Sequence, residues 1–120
     1  NVCFFIFLVS LTFIYLDVPS AEASVMKNDK LIERISNDYT NKFCNSIAFG
    51  LSKESAMNFS FSENKKIFEK RKGFNDIDKI LLANKIAFSV IDNCGYQLDL
   101  YGDKAIEEFA NLYLLYDQDS

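Results

Sequence analysis

The stretch Asn75-Asp76-Ile77-Asp78-Lys79-Ile80-Leu81-Leu82-Ala83-Asn84-Lys85-Ile86-Ala87-Phe88-Ser89-Val90-Ile91-Asp92-Asn93-Cys94-Gly95 decides the fold class. Its apolar residues return at steps of three and four, the period of a helix with one buried face. Ile77, Ile80, Leu81, Ala87, Phe88, Ile91 and Cys94 form the expected stripe, with Ala83 and Val90 at its margin. Asn75 or Asp76 is the expected N-cap, and Gly95 follows the last turn, where helices often stop.

The same period extends to both sides. Leu31, Ile32, Ile35, Tyr39, Phe43 and Ile47 share a face on a helix expected over residues 29–49, ended by Gly50. A shorter segment over 52–61 has Ser52 as its cap and Ala56, Met57 and Phe59 to bury. Ser62 is expected to cap a continuation over 63–72, stopped by Gly73. The last helix, over 103–116, turns Ile106, Phe109, Ala110, Leu112 and Tyr113 inward. Residues 95–102 alternate weakly and are expected to be extended, with no second strand to pair with. The expected architecture is therefore all-α, a small up-down bundle of about four helices. It would occupy residues 24–120 as a single domain.

Residues 1–23 read differently. An apolar run over 2–16 is interrupted only by Ser10 and Thr12, and is followed by Asp17, Pro19 and Ala21-Glu22-Ala23. That order matches a secretory signal segment, with small side chains Ala21 and Ala23 at the positions a signal peptidase reads. The run is shorter than the roughly 20 residues that span a bilayer. An uncleaved N-terminal membrane anchor is the alternative. The chain opens on Asn1 without a basic stretch, so a truncated signal is the expectation. Cys3 lies too far from the cleavage site to be a lipoprotein cysteine.

Removal of that segment would leave two cysteines, Cys44 and Cys94. An even pair in an exported domain reads as a disulfide. In an up-down bundle the first and third helices run parallel, so both cysteines reach the same end. The chain-entropy model gives such a long loop about 4 kcal/mol.

The chain has 120 residues, no histidine and no tryptophan. Ser-His-Asp and Cys-His catalysis, histidine metal ligands and histidine pH switches are excluded. Ser62-Glu63-Asn64-Lys65 matches S-x-x-K, but the companion motifs of the penicillin-binding enzymes are missing. Asn58-Phe59-Ser60 is a glycosylation sequon that matters only in a eukaryotic secretory pathway. Asp99, Asp103, Glu107 and Glu108 gather near the start of the last helix, where carboxylates complement the helix dipole. No catalytic residue, metal or cofactor is expected, and the protein is not read as an enzyme.

Charge is the strongest functional signal. Residues 24–72 carry ten basic and six acidic side chains; residues 73–120 carry three basic and nine acidic. The basic excess centres on Lys65, Lys66, Lys70, Arg71 and Lys72, with Lys65, Lys66 and Lys70 expected together on one exposed helical face. Such a patch suits an acidic protein surface or anionic head groups. Export and the lack of interleaved aromatics argue against nucleic acid.

Two passages, Phe43-Cys44-Asn45-Ser46-Ile47-Ala48-Phe49-Gly50-Leu51-Ser52-Lys53-Glu54-Ser55-Ala56 and Asp92-Asn93-Cys94-Gly95-Tyr96, resemble small exported proteins of marine picocyanobacteria. The resemblance implies the periplasm or thylakoid lumen and transfers no catalytic residue. By analogy of compartment it implies an extrinsic subunit or assembly factor. The expected function is a peripheral interaction or assembly subunit of a membrane protein complex, or of an anionic membrane surface. It would dock by the basic patch or by exposed aromatics such as Tyr96 and Tyr101. The alternative is a lipid- or pigment-binding module using the abundant Phe and Tyr side chains.

Overall fold

A computed structural model describes residues 19–119, with side-chain surroundings from residue 28 onward. Of residues 1–23, read above as a signal segment, residues 1–18, with Cys3, lie outside the described residues. Four α-helices occur among them: α1 (Pro19–Ala48), α2 (Lys53–Phe68), α3 (Lys79–Cys94) and α4 (Gly102–Gln118). The all-α bundle is as the periodicity requires.

Helix α1 starts earlier than its apolar pattern, at Pro19, a residue tolerated in a first turn because its missing N–H is not needed there. Ala21 and Ala23 follow within this helix. Ile32, Ile35, Tyr39 and Phe43 are buried along one face, with Ser36, Thr40 and Ser46 beside them. The helix ends in a Schellman motif. Gly50 has φ +96°, the Leu51 N–H donates to Ser46 O at 3.0 Å, and the Gly50 N–H donates to Ile47 O at 3.0 Å.

Helix α2 is continuous, where the sequence led us to expect a break at Ser62. Ser52 caps it, its hydroxyl accepting from the Ser55 N–H at 3.2 Å. The buried stripe is Ala56, Met57, Ser60, Asn64 and Phe68. Two of these five are polar, which hides the period from any reading of apolar spacing. Phe59, expected inside, is exposed. The helix stops at Phe68, so Lys70, Arg71 and Lys72 lie in the connection rather than on a helical face.

Helix α3 is rotated from its expected orientation. The chain makes a 3₁₀ turn at Phe74–Asp76. Asp78, not Asn75 or Asp76, is the cap; its Oδ1 accepts from Ile80 N–H at 3.0 Å and Leu81 N–H at 3.2 Å. The buried face is Leu82, Ala83, Ile86, Ala87, Val90 and Cys94, while Ile80, Leu81 and Phe88 are exposed. The reason is the partner geometry. The face that carries Cys94 must meet α1, and that face also carries the two alanines rather than the largest side chains.

The link to α4 is a second 3₁₀ turn, Gly95–Leu98, in place of the expected extended piece. Gly95 has ordinary right-handed backbone. What it needs is space: a Cβ there would sit 2.6 Å from the Leu100 carbonyl oxygen. Asp99 instead takes the left-handed conformation, φ +59°.

Two helical hairpins result, α1–α2 and α3–α4. Helix α1 packs on α2 and α3, and α4 packs on α3 with a smaller contact to α2. Helices α1 and α3 lie side by side and parallel. Thr40 Oγ1 donates to Ser89 Oγ at 2.8 Å, and one turn further on Cys44 is bonded to Cys94, with Cα atoms 5.7 Å apart. The core is aromatic at its centre. The rings of Tyr39 and Phe43 from α1 meet Phe109 and Tyr113 from α4, with edge-on centroid distances of 5.2 Å for Phe43–Phe109 and 5.5 Å for Tyr39–Tyr113.

Candidate functional site

Consecutive helices of the bundle run in opposite directions, so residues 28–35 of α1 lie beside the end of α2, where Asn64 donates to the Ile35 carbonyl. The α2–α3 connection then crosses over residues 28–34. Gly73 makes this crossing close: it has φ +90°, and a Cβ on it would lie 3.5 Å from Asn28 Oδ1. Between the connection and α1 is an open cleft of about 730 Å³. Lys30 and Arg34 line it from α1, and Arg71 and Lys72 line it from the connection, with Asp76 as the one carboxylate among the described lining residues.

The expected basic patch is thus divided. Arg71 and Lys72 belong to this cleft; Lys65 and Lys66 line a separate groove of about 400 Å³ between α2 and α4, shared with Glu69 and Asp119. Lys70 is exposed and lines neither. Lys66 is also partly neutralised, its ammonium 3.1 Å from Glu63 Oε1. Arg71 is held by its own helix end, the guanidinium carbon 5.0 Å from the centre of the Phe68 ring. Among the described residues, none of Lys30, Arg34, Arg71 and Lys72 makes an ion pair.

Lys30 and Arg34 escaped the sequence reading. Flanked by Asp29 and Glu33, they look like a solvated helix face of mixed charge. The available signal was topological: an antiparallel α1–α2 pair must bring residues near 30 towards residues near 70.

The disulfide end presents a different surface. Tyr96 and Tyr101 are exposed there, as expected, joined by Phe49, which is 86% exposed, and Leu51. Ile106, Phe109, Ala110, Leu112 and Tyr113 face inward as the sequence indicated, and the rings of Tyr39, Phe43, Phe61, Phe109, Tyr113 and Tyr116 pack on one another. The sequon falls on α2 with Asn58 exposed and Ser60 fully buried. Ser62 and Lys65 of the S-x-x-K pattern both line the groove between α2 and α4, without the companion motifs that chemistry needs.

The buried polar groups are structural. Asn64 Nδ2 donates to Ile35 O at 3.0 Å and to Asp38 Oδ2 at 2.9 Å, tying α2 to α1. Asp38 also pairs with Lys42. The hydroxyls of Tyr39 and Ser60 have no hydrogen-bond partner among the described residues. For Tyr39 the consequence is electrostatic. Burial, and then the neighbouring Tyr113 and Tyr116 phenols, push its pKa well above the usual tyrosine range. Burial, and then Asp117, push Tyr113 up as well.

Fold and site together define a small all-α protein of two hairpins clipped by one disulfide, with a cation-lined cleft at the opposite end. The chain matches no protein-family model, no curated protein and no solved structure. No described helix is long and apolar enough to cross a membrane.

Proposed function

We propose that the protein is an exported, non-catalytic interaction subunit that docks by charge onto an acidic surface of a membrane complex. The observation that carries this reading is the cleft: two chain segments, far apart in sequence, bring four cations together without pairing them to carboxylates among the described residues. Like charges placed together raise the energy of the isolated protein, and an acidic partner relieves that cost. The Cys44–Cys94 bond supports a setting outside the reducing cytosol. It also holds α1, one wall of the cleft, against α3.

Native fractionation of source-cell membranes, with and without a high-salt wash, tests the reading. Co-migration with a large complex that salt abolishes supports it, since contacts between exposed charges fade beyond a Debye length of about 8 Å at physiological ionic strength. A chain that migrates alone under both conditions sinks it. The N-terminal peptide recovered in the same run shows whether cleavage occurs after Ala23.

A further inference from the structure

We propose that the cleft between α1 and the α2–α3 connection binds a compact anion carrying two or more phosphate groups. This rests on the reading of the cleft as the protein's binding surface, and names the chemistry it takes. Three observations lead to it. The first is arrangement. Lys30 and Arg34 stand one helical turn apart on one wall, about 6 Å between their Cβ atoms by helix geometry. Arg71 and Lys72 stand on the other. A single carboxylate placed between two cationic walls leaves most of that charge unanswered, whereas linked phosphates present several negative oxygens within a few ångströms.

The second is the donor chemistry. Each wall has one guanidinium and one ammonium, and the guanidinium fork matches two oxygens of a phosphate at once. Arg71 rests on the Phe68 ring, which limits the freedom it would lose on binding. The third is size and polarity. The volume of about 730 Å³ falls within the roughly 300–1,000 Å³ of small-molecule sites. Among the described lining residues Leu31 is the only large apolar side chain, while four are cationic. Asp76 opposes the anion from the connection. A concave site calls for a ligand, or a head group, that enters it.

The test is a calorimetric titration of the full chain, disulfide formed, with tripolyphosphate at about 0.1 M NaCl, where exposed charges are screened beyond ~10 Å. Saturable binding of one ligand per chain is expected. Arg34→Gln and Arg71→Gln should each weaken it about tenfold or more, the range of a lost charge-assisted hydrogen bond. Lys65→Gln with Lys66→Gln, outside the cleft, should leave it unchanged. Thermal melting of each variant confirms that the fold persists. No saturable binding overturns the proposal, and so does an equal loss in the Lys65/Lys66 variant or equal binding of sulfate.

Sedimentation with phosphatidylcholine vesicles containing phosphatidylinositol 4-phosphate separates the sources. Co-sedimentation that tripolyphosphate reverses assigns a lipid head group; tripolyphosphate binding without co-sedimentation assigns a soluble ligand. A chain that binds no phosphate yet co-migrates with a membrane complex removes the ligand and leaves the docking function standing.

Discussion

At the scale of single residues, the buried polar groups are of two kinds: Asn64, Thr40 and Ser46 are hydrogen-bonded, whereas the hydroxyls of Tyr39 and Ser60 have no partner among the described residues. Asn64 is 4% exposed, and its side-chain amide donates two hydrogen bonds to α1. Asn64→Leu removes those bonds, strips Asp38 of a donor and forces a branched apolar side chain against polar neighbours. It should cost about 1–3 kcal/mol in urea denaturation. Tyr39 is the opposite case. Its hydroxyl is buried without a partner, so Tyr39→Phe removes a desolvated group and keeps the ring contacts. The expected outcome is unchanged or slightly higher stability at neutral pH. The raised pKa of Tyr39 adds a test at high pH. The unfolded chain releases the phenolic proton near pH 10, while the folded chain holds it. The unfolded state therefore binds fewer protons above pH 10, and stability falls as pH rises through that value towards the folded pKa. Tyr39→Phe should make the decline shallower by about 1.4 kcal/mol per pH unit, read from urea titrations at increasing pH. An identical slope in the variant would mean that Tyr39 ionises as easily folded as unfolded.

At the scale of elements, what the sequence conveyed depended on how apolar each buried face is. Helices α1 and α4 bury large apolar residues at helical spacing, and both were readable. Helix α2 buries Ser60 and Asn64, so its continuity past Ser62 was invisible to apolar periodicity. Helix α3 is apolar nearly all round, so periodicity showed that it is a helix but not which side faces inward. Ile80 and Phe88 competed with Ala83 and Ala87 for the core, and the parallel contact with α1 settled it. The cap carries the same lesson: three candidate residues, Asn75, Asp76 and Asp78, stand within one short stretch. Asp78→Ala should cost about 1 kcal/mol in thermal or urea melting, while Asn75→Ala should cost little, because only Asp78 accepts from the first helical N–H groups. Gly95 offers a sharper probe of the α3–α4 link. Gly95→Ala puts a Cβ against a backbone oxygen that cannot rotate away, so the 3₁₀ turn must shift. A loss of about 1–3 kcal/mol is expected, the range of overpacking.

At the scale of the whole molecule, the charge asymmetry read along the sequence becomes an asymmetry between the two hairpins. The basic excess lies on α1–α2 with the connection that follows it, and the acidic excess on α3–α4. The ion pairs Lys42–Asp38 and Lys66–Glu63 lie within the first hairpin, and Lys79–Asp117 within the second. The hairpins are joined by other means: the aromatic core, the Thr40–Ser89 hydrogen bond and the disulfide. Folding and docking should therefore respond differently to salt. Apolar burial and the covalent link are insensitive to screening, and exposed ion pairs contribute at most about 1 kcal/mol each. Raising NaCl from about 0.05 to 0.5 M should shift the urea midpoint by the equivalent of less than about 1 kcal/mol, while release from a membrane complex should be complete over the same interval. Reducing the Cys44–Cys94 bond should do the reverse. It should lower stability by about 4 kcal/mol, the loop-closure entropy of a 50-residue separation, without altering the salt at which surviving folded protein is released. If salt unfolds the chain as readily as it releases it, the two hairpins hold together by their opposite charge. The cleft cations would then be bound up with stability rather than reserved for a partner.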